Sequence, residues 1–207
     1  ISLVMIVKNE EKVLERCVES VKSIVDEFII CDTGSTDKTK KIIQKYGKLY
    51  ELPFEDFVTT KNKALSLATS EYILFMDADE IFVSGLEFLK EYVLGGTNCV
   101  NGFIVEELND GVPSRSYARA RLWKNNGNWH FEGPGVHETL VSSGDMSTMT
   151  DHRIFVEHNH AHRSPESYAV RFREYVVLLK KHLQENPKDI RATFYLGRAY
   201  KDLGQHL

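Results

Sequence analysis

Cysteine is scarce in this chain: three in 207 residues, Cys17, Cys31 and Cys99. An odd, widely spaced set argues against a disulfide framework and against a zinc site. The three are therefore expected as buried thiols of a soluble protein in a reducing, cytoplasmic compartment. Long apolar runs are lacking as well. The longest, over 1–7, falls far short of the roughly 20 residues of a bilayer-spanning helix. With no basic stretch before it and no small-residue cleavage site, it reads as a first strand rather than a signal peptide. A first residue other than Met is expected of a trimmed chain. There is also little excess of charge, with 26 basic against 30 acidic residues and a net charge of −4. Neither nucleic acid nor an anionic membrane is advertised as a partner. What is present, 42% hydrophobic and 27% charged residues, is ordinary for a soluble globular protein, and the length allows a real core.

The most informative stretch is EYILFMDADEI over 71–81. Residues 72–76 are long enough for a buried strand and too short for a stable helix. They end in Asp77, Ala78, Asp79 and Glu80. Ligands of open α/β sheets collect at the carboxyl ends of strands. Two carboxylates flanking a small residue there can hold a hard cation such as Mn²⁺ or Mg²⁺. A solvated acidic turn is the competing reading of the same residues.

Upstream, strands are expected at 2–7, 27–31 and 48–52, with helices at 10–24, 37–46 and 57–68, the second capped by Ser35 or Thr36. Strand and helix alternate up to the acidic strand, which is the pattern of parallel βαβ units with right-handed crossovers. After Asp79 the rhythm changes. A helix at 84–94 is followed by strands at 102–108, 116–123, 136–141 and 154–157, a mixed or antiparallel half. A histidine patch, His158, His160 and His162, comes next. A long helix at 166–185 then leads into 187–204, which resembles the first helix of a tetratricopeptide unit. Domains are expected at 1–163 and at 164–207, the latter a helical extension offering a surface for protein contacts.

Four strand-end motifs now line up: KNE over 8–10, DTGSTD over 32–37, KNKAL over 61–65 and DAD over 77–79. In this order the set resembles family 2 glycosyltransferases of the GT-A fold. The resemblance implies an α/β architecture: a Rossmann-like half with a mostly parallel sheet and helices on both faces, plus antiparallel strands on the acceptor side and a helical tail. The later Arg121, Glu132, Val136, His137 and Glu138 resemble the branch of that family that often carries tetratricopeptide repeats.

The resemblance also implies roles. Val7, Asn9 and Asp32 would cradle the nucleoside of a nucleotide-sugar donor, expected to be a UDP-sugar. Lys61, which stands where many relatives have arginine, and Asn62 would meet the diphosphate. Asp77 and Ala78 would lie near the ribose. Asp79 and Asp77 would bind Mn²⁺ or Mg²⁺, completed by His160, with His137 and His158 as alternatives. Inverting transfer needs a base near the acceptor hydroxyl of a glycan or glycoprotein. Glu138 is the first candidate, Glu132 the second, and Glu80 and Asp110 follow. Trp123, Trp129 and Phe131 offer a stacking floor for a sugar ring. Two other readings compete. A nucleotidyltransferase would typically carry a glycine-rich basic loop after the first strand, and residues 8–11 have one lysine and no glycine. A catalytically retired binding module has no need for two adjacent metal carboxylates.

Overall fold

A computed structural model describes residues 1–100, 103–109, 112–144, 147–160 and 163–205. The first half alternates strand and helix: β1 (Ser2–Val7), α1 (Leu14–Val21), β2 (Glu27–Asp32), α2 (Thr39–Ile43), β3 (Tyr50–Glu51), α3 (Phe57–Leu65) and β4 (Tyr72–Phe75). The second half comprises β5 (Glu80–Ser84), α4 (Leu86–Leu94), β6 (Cys99–Val100), β7 (Phe103–Asn109), β8 (Val112–Arg119), β9 (Leu122–Lys124), β10 (Trp129–Glu132), β11 (Thr139–Ser142), β12 (Phe155–Asn159), α5 (Pro165–Glu185) and α6 (Ile190–Asp202).

The main sheet has the order β3-β2-β1-β4-β9-β6. The first four pair in parallel, while β9 is antiparallel to both β4 and β6. From β1 the chain winds outward to β3, then returns to place β4 on the other side of β1. The carboxyl ends of β1 and β4 thus flank the point where the strand order reverses, which is where such sheets open a ligand crevice. β1 and β4 are buried along nearly their whole length, consistent with their near-continuous apolar sequences. Helix α1 has only eight residues and would be marginal alone. It persists because Leu14, Cys17, Val18 and Val21 are all buried against the sheet.

A second sheet, β5-β12-β7-β8, begins where the acidic turn ends. Residues 77–79 therefore join the two sheets, with β4 on one side and β5 on the other. Antiparallel pairing of β12 with β5 sets His158 opposite Glu80, bringing a segment 78 residues away onto the acidic turn. A hairpin, β10-β11, makes a third sheet.

Sequence expectations depart from the structure at a few places. The stretch 116–123 is two strands in two sheets, because the chain crosses from one to the other at Ala120 and Arg121. The second helix starts at Thr39, and its leading side-chain acceptor is Asp37, which takes the Thr39 N–H at 2.9 Å. Ser35 instead accepts from the Asn9 N–H at 2.9 Å. Among the described residues, no helix is long and apolar enough to cross a membrane. The cysteines are free and buried, as expected.

Candidate active site

The acidic turn divides its three carboxylates among different partners. Asp77 faces cations: Arg121 Nη2 at 3.1 Å, Arg119 Nη1 at 3.5 Å and Lys61 Nζ at 4.0 Å. Burial alone would raise its pKa, but those three charges overcome it and hold the carboxyl well below the usual range. Glu80 is fully buried in a close ion pair with Arg121, and burial pushes its pKa up despite that partner. Two of the three cations on Asp77 arrive by strand geometry, since Arg119 ends β8 and Arg121 precedes β9.

Asp79 turns the other way. Its Oδ1 accepts from His158 Nε2 at 3.0 Å and its Oδ2 from His160 Nδ1 at 2.9 Å. Arg163 Nη2 lies 2.8 Å from the same Oδ2. Burial opposes ionisation, but the hydrogen bonds from both histidines outweigh it and hold the carboxyl low. The ligand atoms of Asp79, His158 and His160 lie within 4.8 Å of one another, the one such group of potential metal ligands among the described residues. The His158 nitrogen that faces Asp79 is Nε2, while its Nδ1 is buried without a hydrogen-bond partner. One carboxylate with two imidazoles fits Mn²⁺ better than Mg²⁺, which favours an all-oxygen shell. The residues present therefore fit a divalent cation held by Asp79, His158 and His160, with Asp77 committed to cations of the chain.

Lys61 reaches this centre because α3 buries Thr60, Lys61, Ala64 and Leu65 on one face. Its ammonium lies over the rings of Phe75 and Phe131, at 4.8 and 5.1 Å, and forms a close ion pair with Glu138. Burial raises the Glu138 pKa, but Lys61 overcomes it and the carboxyl stays below its ordinary value. Glu138 is delivered by the loop between β10 and β11. Gly135, at φ 82°, approaches the capping residue of α3 so closely that an added Cβ would lie 3.3 Å from Asp56 Cβ. Its carbonyl accepts the first helical N–H, from Phe57, at 2.9 Å. The loop is thereby docked on the end of the helix that carries Lys61.

The nucleoside-side residues organise one another. Asp32, 1% exposed, accepts from the N–H groups of Gly34 and Ser35, each at 3.0 Å. It therefore fixes its own loop, the turn-forming alternative to a ligand role. Asn9, at φ 57°, accepts from Thr36 N–H at 2.8 Å, tying the end of β1 to the same loop. The Val7 carbonyl is taken by the N–H and hydroxyl of Thr33, at 2.9 and 3.0 Å. Ala78 is buried.

Several expected site residues lie elsewhere. Asn62 clamps β10, donating to the Phe131 carbonyl at 2.9 Å and accepting from its N–H at 2.8 Å. Both ends of its amide are committed, so it is a scaffold residue. Trp123, Trp129 and Phe131 are core, packed with Phe75 beneath α3 rather than open to a sugar. The ring of His137 is stacked on Tyr195, away from Asp79. The Glu132 carboxylate is 64% exposed and bonded to His130 at 2.9 Å. Glu80 is sealed in its ion pair and unsuited to act as a base. Asp110 and His162 lie outside the described residues.

Sequence reading gave no role to four other groups. Glu10 and Arg163 are 3.5 Å apart, and burial followed by the charge of Asp79 pushes the Glu10 carboxyl up to about 8. Arg171 and Tyr175 of α5, 2.6 Å apart, sense the charges of Asp77 and, for Arg171, Asp79. The available signal for Arg163 was its place directly after the histidine patch. Polar residues one turn apart on an amphipathic helix carry no such signal.

Comparison with known proteins identifies the family. The family model described as Glycosyl transferase family 2 matches residues 2–140. A TPR repeat-containing protein of Synechococcus elongatus is 46% identical over 148 residues, which is 69% of this chain and 36% of the relative. The SPbeta prophage-derived glycosyltransferase SunS of Bacillus subtilis is 27% identical over 205 residues, 94% of this chain and 47% of the relative. The chain thus spans less than half the length of either. Among solved structures, S. aureus TarS 1-349 in complex with UDP-GlcNAc shares the fold with a TM-score of 0.52 at 17% identity, over 97% of this chain and 71% of that one.

Proposed function

The chain belongs to glycosyl transferase family 2, with the GT-A fold, and from that premise we propose that it is a Mn²⁺-dependent inverting enzyme transferring a sugar from a UDP-sugar to a hydroxyl of a glycan or glycoprotein. One observation carries the reading. Asp79, His158 and His160 meet at the strand-order reversal, and the Lys61–Glu138 pair lies beside them through Asp77.

In this reading Asp79, His158 and His160 hold the cation. When bound, it supplies positive charge to the departing diphosphate. Arg119 and Arg163, already on Asp77 and Asp79, add further positive charge. The loop organised by Asp32 and Asn9 receives the nucleoside. Glu138 acts as base: the acceptor oxygen attacks the anomeric carbon, the bond from that carbon to the phosphate oxygen breaks, and the hydroxyl proton passes to Glu138. Lys61 keeps Glu138 ionised and therefore able to take that proton. Residues 1–163 form the catalytic domain in this scheme, and 164–207 a helical extension.

The test is hydrolysis of a panel of UDP-sugars, UDP-GlcNAc included, with Mn²⁺ and with EDTA. Turnover with Mn²⁺ that EDTA abolishes is the expected result, and a flat response in both conditions would reject catalysis in favour of a binding module. Glu138→Gln should lower turnover by about 10²–10⁴-fold while UDP affinity stays unchanged. Near-normal turnover would remove Glu138 from the mechanism.

A further inference from the structure

The loop that ends on Glu138 is held from its far side by the C-terminal helices. Val136 is fully buried with Leu179 of α5 and Ala192 of α6. His137 adopts a left-handed conformation, φ 53°, which a side-chain-bearing residue seldom keeps unless its surroundings impose it. Its ring stacks on Tyr195 of α6, with centroids 3.9 Å apart and planes 17° from parallel, and meets Tyr175 of α5 edge-on at 5.5 Å. Nη2 of Arg191, also on α6, donates to the His137 carbonyl at 2.7 Å and to Thr139 Oγ1 at 2.8 Å. One guanidinium thus grips the residue before Glu138 and the residue after it.

We propose that the α5–α6 pair is a positioning element of the active site, in which Arg191 and Tyr195 fix the backbone on both sides of Glu138 and so aim its carboxylate at Lys61 and Asp77. This rests on Glu138 being the base. Released from these contacts, residues 137–139 lose what imposes the left-handed turn, and the carboxylate moves with it. Displacement of a reacting group by about 1 Å costs on the order of 10²-fold in rate, whereas Asp32 and Asn9, assigned to the nucleoside, are held by the N–H groups of residues 34–36. The helical extension is therefore part of the catalytic apparatus, reaching it through two residues of α6 that touch no substrate.

Four variants of the full chain test this: Arg191→Ala, Tyr195→Ala, Tyr195→Phe and His137→Ala. The readouts are kcat for Mn²⁺-dependent UDP-sugar hydrolysis and calorimetric affinity for UDP with Mn²⁺. Arg191→Ala and Tyr195→Ala should lower kcat tenfold or more with UDP affinity within twofold of wild type. Tyr195→Phe, which keeps the stacked ring, should restore kcat. If Tyr195→Ala does not fold, His137→Ala serves in its place, since the stack is lost while a side-chain-bearing residue still has to hold the positive φ. Wild-type kcat in Arg191→Ala and in either stacking variant would overturn the proposal, as would UDP affinity falling in step with kcat. Glu138→Gln is measured alongside: if it is inactive while the α6 variants turn over normally, only the positioning role fails. If Glu138→Gln itself retains full turnover, the base assignment fails first.

Discussion

Arg121 is 2% exposed, and its Nη2 donates both to the fully buried Glu80 and to Asp77. Arg121→Met keeps much of the side-chain volume and removes the charge, leaving Glu80 without its cation in a site with no access to water. Breaking a buried pair from one side typically costs about 3–5 kcal/mol, against a whole-domain stability of about 5–15 kcal/mol. Asp77 loses less, because Lys61 and Arg119 remain beside it. The sign of the pH dependence follows from Glu80, whose pKa burial already raises. Without Arg121 it rises further, so the variant gains stability at low pH by protonating Glu80 and loses it as the pH climbs through the raised value. The deficit relative to wild type should therefore grow from pH 5.5 to pH 8, by at most about 1.4 kcal/mol per pH unit. Urea unfolding at several pH values, with the midpoint followed at constant slope, measures it. Arg121→Met combined with Glu80→Leu should recover part of the loss, since an apolar replacement of a buried pair is often neutral. A deficit below about 1 kcal/mol at neutral pH, or one that does not change with pH, would refute the view that this pair braces the acidic turn.

Asn62→Ala removes two hydrogen bonds to the Phe131 backbone and should cost about 2 kcal/mol or more in urea unfolding, with Mn²⁺ affinity unchanged. An equally stable variant would reject the clamp. His160→Ala should weaken Mn²⁺ binding in calorimetric titration by about tenfold or more, and His158→Ala likewise. Equal affinities in wild type and both variants would dismiss the imidazole ligands. Glu10, raised to about 8 in the folded protein from a reference near 4.5, contributes stability that is complete below about 4.5 and lost as the pH rises through about 8. Wild type without metal should therefore lose stability across that window more steeply than Glu10→Gln. Parallel pH profiles of melting temperature would show that Glu10 titrates normally.

The parallel half was legible because its physics is local. Buried strands such as 2–7 and 72–75 read as apolar runs, and the helices between them show one apolar face. The strands that were missed lack that signal. β5 begins with Glu80, whose carboxylate is buried only because Arg121 arrives from 41 residues away, and β6 has two residues. At the site, Asp79, Lys61 and Glu138 each stand in a recognisable motif, and the fold brings Lys61 to both Asp77 and Glu138. Asn62 is taken by the Phe131 backbone, and the aromatic trio packs into the core around Phe75; Trp129 and Phe131 lie on β10, a strand the local pattern does not reveal. His137 needed knowledge of α6, whose docking no spacing rule encodes.

The acidic turn shows why three adjacent carboxylates in one short sequence need not act together. Asp77 lies two residues beyond the last strand residue of one sheet, Glu80 opens a strand of another, and Asp79 sits at the crossing between them. Each side chain therefore leaves the backbone toward a different neighbour. Asp77 meets the two arginines that β8 and β9 supply, Glu80 is sealed behind Arg121, and Asp79 alone faces β12 and its histidines. Three like charges this close would repel strongly in a buried site. Arg121 bridges two of them, and Arg163 neutralises the third. Arg163 therefore occupies the electrostatic role at Asp79 that a divalent cation would share, and under the proposed function a bound Mn²⁺ would compete with its guanidinium for Asp79. Under that function the diphosphate of the donor would be the anion that receives the displaced guanidinium, which predicts that Mn²⁺ and UDP bind cooperatively and that Arg163→Ala weakens this coupling. Calorimetric titration of Mn²⁺ with and without UDP reads the coupling directly, and equal Mn²⁺ affinities under the two conditions in the wild-type protein would refute it.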